Sequence, residues 1–187
     1  MVVQCICVVT SPSGDIKGVI ELSQVRFLRI SLLHDLSFLS LTNEPTTRVR
    51  QESEDSPTVI KGKISGLSKG KHAISVNVFG DLSEDGKMLG EHFNPFGKNH
   101  GAPSDDERHV GSLGNITAED DKVAVVNFED KCVKLIGPYS IIGRSIAIAE
   151  KEDDLGKGGS SESLKNGNCG EVIAAGVVGI RFCVPKQ

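Results

Sequence analysis

Three histidines, His92, His100 and His109, are spaced through the Gly-, Pro- and Asn-rich stretch "EHFNPFGKNHGAPSDDERHVGSLGN". A neutral imidazole offers a nitrogen lone pair, and His is the commonest metal-ligating side chain, so such spacing suits a metal centre. Just upstream, "KHAISVNVFGDLSEDG" (71–86) alternates like a strand. Ile74, Val76 and Val78 fall on one face, with Ser75 and Asn77 on the other. The strand therefore turns Ser75 and Asn77 towards the histidine loop. It reads as half of a metal site whose own histidines have been replaced.

The elements that must position these residues are short strands separated by turn signals. Val2–Val9, Ile16–Leu22, Val59–Ile64 and His72–Val78 alternate in this way. "HVGSLGNITAEDDKVAVVNFED" reads as turn, strand and turn, and "KCVKLIG", "SIIGRSIAIAE" and "VIAAGVVGIRF" read as three further strands. About eight strands at regular spacing, with few helix signals, predict an all-β sandwich or barrel. Two long loops interrupt the pattern, Asp81–Gly114 and Lys151–Gly170. Compact domains rarely carry such loops without a use for them.

A chain of 187 residues is most simply one domain, able to bury a core without disulfides or metal. Aromatic residues make up only 4%, so that core must rest on Val, Ile and Leu. Lys and Arg total 21 against 25 Asp and Glu, and no basic stripe is present, which argues against a nucleic-acid partner. No apolar run reaches the ~18–20 residues that cross a bilayer, so no membrane association by a spanning helix is expected. The start, "MVVQCICVV", lacks a basic region and alternates like a strand rather than a signal peptide. Five cysteines with no CxxC suit a reducing, cytoplasmic setting. Cys5, Cys7 and Cys132 lie in apolar alternating stretches, which predicts buried thiols.

Residues 25–51, "VRFLRISLLHDLSFLSLTNEPTTRVRQ", break a β pattern that resumes if Gln24 is joined to Glu52. Three readings stand side by side. Val-Arg can be encoded GTAAGA and Gln CAG, the ends of many introns, so the segment can be a translated intron. It can be an ordinary loop insertion. It can also be an amphipathic helix over 27–41 that binds a membrane surface or a partner.

From Gly66 to Ile180 the sequence resembles the Cu/Zn superoxide dismutases. The matching stretches, in order, are "GLSKGKHAISVNVFGD", "HFNPFGKNHGAP", "DERHVGSLGNITA", "IIGRSIAIAEKEDDLGKGG" and "NGNCG" followed by "AAGVVGI". The resemblance implies an eight-stranded Greek-key β-barrel with a zinc loop around His92–His109 and an electrostatic loop over Lys151–Gly170. It also implies copper held by four His, one bridging to zinc, and zinc held by three His and one Asp. Carried over, His92 is the bridging ligand, and His100 and His109 complete the zinc imidazoles. The zinc Asp falls on Ser112. The remaining copper positions fall on Ser75, Asn77 and Ala149, so one copper ligand of four is kept. Asp153 matches the carboxylate that orients ligands on both sides, and His72 matches a structural histidine bonded to backbone.

Further departures fall on the same function. The arginine that guides the anion to copper is Val172, and the two positions of the intrasubunit disulfide are Gly86 and Ala175. Phe79, Gly80, Ile142, Gly143 and Ile180 match positions that pack across the family's two-fold axis, which implies a homodimer, or a pairing with an active dismutase. The expectation is a superoxide dismutase-like protein without copper, a pseudoenzyme holding zinc weakly and acting as a binding or interaction module. The alternatives are a working dismutase and a zinc-dependent hydrolase, since three imidazoles leave zinc a fourth position for water.

Overall fold

The computed structural model describes residues 2–25 and 56–181. Its strands are β1 (Val2–Thr10), β2 (Lys17–Val25), β3 (Thr58–Ser65), β4 (Gly70–Asn77), β5 (Ser112–Ala118), β6 (Val123–Asp130), β7 (Ser145–Ala149) and β8 (Val172–Ile180). They close into an antiparallel barrel in the order β1-β2-β3-β6-β5-β4-β7-β8. The crossovers β3 to β6 and β4 to β7 make it a Greek key, and closure leaves no free sheet edge. The only α-helix among the described residues is the short α1 (Ser163–Asn166).

Period-2 alternation builds the core. Cys5, Cys7 and Val9 of β1, Ile20 and Leu22 of β2, and Ile60 and Ile64 of β3 all face inward and are buried. They meet Ile74, Val76, Ile146, Ile148 and Val178 from the other side. Each such aliphatic side chain contributes about 1.5–3 kcal/mol by leaving water. Gly62 is required where β3 crosses β2, because a side chain there would strike the Val19 carbonyl.

Two strands are buried on both faces, and these carry the site. In β4 the outward residues Ala73, Ser75 and Asn77 are as covered as the inward Ile74 and Val76. In β7 every residue is buried. Their cover is the pair of loops, 78–111 joining β4 to β5 and 150–171 joining β7 to β8. Backbone bonds fasten the first loop to the barrel: Phe93 N–H donates to Val76 O at 2.8 Å and Val76 N–H to Gly111 O at 2.9 Å. Ala73 N–H donates to Lys151 O at 2.8 Å and fastens the second.

The strand total agrees with expectation, but its composition differs. "HVGSLGNITAEDDKVAVVNFED" contains two strands, β5 and β6, around a turn with Lys122 at positive φ. "KCVKLIG" is a loop across the barrel mouth. Apart from an isolated bridge of Lys134 to Ser140, with Ile141 N–H donating to Lys134 O at 2.9 Å, its backbone is satisfied by side chains rather than by a neighbouring strand. Asp130 Oδ1 accepts from Cys132 N–H (2.7 Å) and Val133 N–H (2.8 Å), Gln24 Oε1 from Leu135 N–H (2.7 Å), and Thr58 Oγ1 donates to Val133 O (2.7 Å). Val133 and Leu135 are buried at alternate positions, which imitates a strand. Cys132, just before Val133, is exposed rather than buried. Val25, the first residue of the segment expected as an insertion, pairs with Val2 at the end of β2. The remainder of the 25–51 expectation, including the helix over 27–41, lies outside the described residues.

Candidate metal centre

Each histidine arrives from a different constraint. His92 is bridged to Asn77 at the end of β4, while His109 lies in the turn closed by Ser112 N–H donating to its carbonyl. His100 is held by its backbone N–H donating to Leu164 O of the second loop at 2.8 Å. The three rings stand with centroids 5.3, 5.7 and 5.6 Å apart. A ring nitrogen from each lies within 4.8 Å of the others. The Nδ1 atoms of His92 and His109 are buried and have no hydrogen-bond partner. Two buried, unpaired acceptors beside a third ring are costly unless something fills the gap between them. The three-imidazole arrangement fits zinc.

Burial, then the repulsion that a proton on His92 would meet from protons on His100 and His109, holds His92 down at about 3. Burial first, then His100, also lowers His109. Both rings are therefore neutral, lone-pair-bearing ligands at neutral pH.

His100 is gripped from both ends. Its Nε2 is 2.6 Å from Asp153 Oδ1, and its Nδ1 is 2.8 Å from Ser112 Oγ. With Nε2–H donating to the carboxylate, Nδ1 of a neutral ring accepts the serine hydroxyl proton. Asp153 is itself fixed: Asn115 Nδ2 donates to its carbonyl at 2.9 Å and its N–H donates to Asn115 Oδ1 at 2.8 Å. Gly167, at φ +72°, passes against the Asp153 carboxylate where any side chain would collide. Asn115 and Gly167 escaped the sequence reading. The "GN" and "NGN" turns were visible, but their contact with Asp153 is non-local.

The order Ser112, His100, Asp153 imitates a hydrolytic relay. Ser112 is fully buried, however, and the cleft beside the centre does not reach it. That cleft, about 480 Å³, is lined by Ser75, Asn77, His92, Ala149, Cys169 and Val172 among others. Within it Ser75 Oγ donates to Asn77 Oδ1 at 2.8 Å, and Asn77 Nδ2 donates to Gly90 O at 2.8 Å. Ala149 packs with Ala73 and Cys169, whose thiol burial pushes up to about 11. His72 stands apart from the centre, bonded to Ala149 O and Ser68 O at 3.0 Å each.

Residues 44–178 match the family model described as copper/zinc superoxide dismutase. The chain belongs to the copper/zinc superoxide dismutase family. It is 43% identical over 181 residues to superoxide dismutase [Cu-Zn] A of Xenopus laevis, covering 97% of this chain and 99% of that protein. It is 47% identical over 131 residues to superoxide dismutase [Cu-Zn] 5 of Dictyostelium discoideum, covering 70% and 86%. With a superoxide dismutase [Cu-Zn] of Cryptococcus neoformans it shares 50% over 131 residues, covering 70% and 85%. The barrel and its histidine centre are thus those of a superoxide dismutase-family protein. No helix among the described residues is long and apolar enough to cross a membrane.

Proposed function

We propose that this chain is a superoxide dismutase-family barrel that has given up copper chemistry and works as a binding or interaction module. The hydrogen-bonded run from Ser75 through Asn77 to Gly90 carries the reading. Ser75 and Asn77 are two of the positions where the family resemblance implies copper imidazoles. Here they satisfy each other, and the third, Ala149, is a methyl group. Copper would be offered His92 alone, which does not fit four-imidazole ligation, so no redox step is derived through it. Val172 leaves an apolar wall where superoxide needs a cation.

Zinc fits better. His92, His100 and His109 would hold it, with the Ser112 hydroxyl in place of a carboxylate, and bound zinc would supply a cross-link between loop and barrel. A neutral fourth group makes this site weaker than one with a carboxylate. Asp153 supports it through His100. The single domain spans 1–187, interrupted by an insertion within 25–51. Free Cys5, Cys7, Cys132 and Cys169 suit a reducing cytoplasm. Phe79, Gly80, Ile142, Gly143 and Ile180 form a two-fold interface, with itself or with an active dismutase.

The names of the relatives favour a second reading, a working dismutase. Copper content and dismutase rate of the copper-loaded, chelator-washed protein decide between them. The expected rate is none above background. A rate within tenfold of an active relative overturns the pseudoenzyme. Ser75→His, Asn77→His and Ala149→His together should restore copper binding, and adding Val172→Arg should raise the rate a further ~10–1000-fold. A triple variant that binds no copper would refute the assignment of these positions.

A further inference from the structure

We infer that hydrogen bonds from Ser112 and Asn77 hold the two long loops on the barrel in place of metals, so that the loops stay ordered in the metal-free protein. The inference goes beyond the proposed function and concerns the metal-free protein; bound zinc would take the His100 Nδ1 lone pair in place of the Ser112 hydrogen.

Donor and acceptor identity carries it. Asp153 takes the Nε2–H of His100, and in the neutral ring this leaves Nδ1 as an acceptor. A carboxylate at position 112 would be a second acceptor facing the first, and only a metal ion or an extra proton could sit between them. Serine supplies the one hydrogen that the pair requires, at 2.8 Å and with no exposure to water. The chain of bonds then closes on itself. Ser112 on β5 holds His100 of the first loop, His100 holds Asp153 of the second, and Asp153 is clamped by Asn115, again on β5. Leu155 N–H also donates to Asp153 Oδ1 at 2.7 Å, which extends the tie along the second loop.

The other half is built alike. Ser75 donates to Asn77, and Asn77 donates to Gly90, tying β4 to the first loop. The tie lies beside Val78 N–H to Glu91 O (3.0 Å) and Phe79 N–H to Leu89 O (2.9 Å). Two histidines at those strand positions would turn imidazole lone pairs towards His92, which a cation would satisfy. Ser75 and Asn77 need none. Both halves are thus closed by buried and half-buried hydrogen bonds, and such networks rigidify what they join.

Amide hydrogen exchange on the full chain, stripped with a chelator, tests this. The amides of 92–111 and 153–168 should exchange at least ~100-fold slower than an unfolded chain, and zinc should add less than ~10-fold further protection. Ser112→Ala should speed exchange around His100 and Asp153, and Asn77→Ala around Gly90–His92, while β1 to β3 stay protected as an internal check of folding. Ser112→Asp should lose loop protection when stripped and regain it with zinc. Loops that exchange freely in the stripped parent and close only with zinc overturn the inference. So does a stripped Ser112→Asp variant whose loops are as protected as the parent's.

Discussion

Two unpaired nitrogens, Nδ1 of His92 and of His109, dominate the chemistry at the scale of single residues. Their rings stay neutral because burial resists charge and because each ring opposes charge on the next. The pH dependence follows. In the unfolded chain both histidines take up protons as pH falls through ~6.5. In the folded chain they do not, and for His92 this persists down to about 3. The unfolded state then binds more protons, so stability is highest above ~6.5 and declines as pH falls below it, by up to ~1.4 kcal/mol per pH unit for each ring. Urea unfolding of stripped protein between pH 7 and 4 should show this decline, and His92→Gln should make it shallower. Superimposable curves would mean that His92 is not held neutral.

Among elements, the first loop depends on a brace that adjoins the histidine centre at His109. Arg108 donates from Nη1 to Asp130 Oδ2 at 2.7 Å, and to the carbonyls of Pro103, His109 and Val110 at 2.9, 3.0 and 3.2 Å. Asp130 in turn caps the mouth loop through Cys132 and Val133. Both charges are buried, so removing one strands the other. Arg108→Ala should cost about 3–5 kcal/mol in a denaturant melt and weaken zinc binding through His109. A loss under about 1 kcal/mol would show that water reaches Asp130 and replaces the guanidinium. Apolar alternation in "KCVKLIG" looked like a strand because any segment crossing a barrel mouth buries alternate residues. Whether it pairs with a strand or with Asp130, Gln24 and Thr58 is settled by what lies opposite.

On the scale of the whole molecule, Phe79 and Ile180 are large apolar side chains left 57% and 73% exposed. Gly80 lies against the Gly143 carbonyl, where a side chain would collide, whereas Gly143 has open space around its Cα. Such a patch is consistent with a two-fold contact. Light scattering should give twice the chain mass for the parent and a monomer for Ile180→Glu; a monomeric parent would reject the interface. The insertion belongs to this scale too. β2 and β3 stay paired out to Gln24 opposite Thr58, so a short turn can join them. Deleting 26–51 should leave the barrel folded and equally stable, or more stable by about 1–2 kcal/mol from the shorter closure. A deletion variant that fails to fold would show that the segment packs on the barrel.

While the Greek-key barrel rested on the family resemblance, local chemistry alone determined an all-β sandwich or barrel, the inward faces of most strands, the two long loops and the three spaced histidines. These properties reside in residue type and in a period of two, and neither needs a distant partner. The role of Ser112 could not be read that way. As a residue it registered only as a missing carboxylate. It became a donor when folding brought His100 from one loop and Asp153 from the other to the start of β5. Asn77 likewise read as a lost ligand until Gly90 lay beside it. A hydrogen bond is a property of a pair, and these pairs are made by the tertiary fold, since the strand pleat sets where a side chain points and not what it will meet.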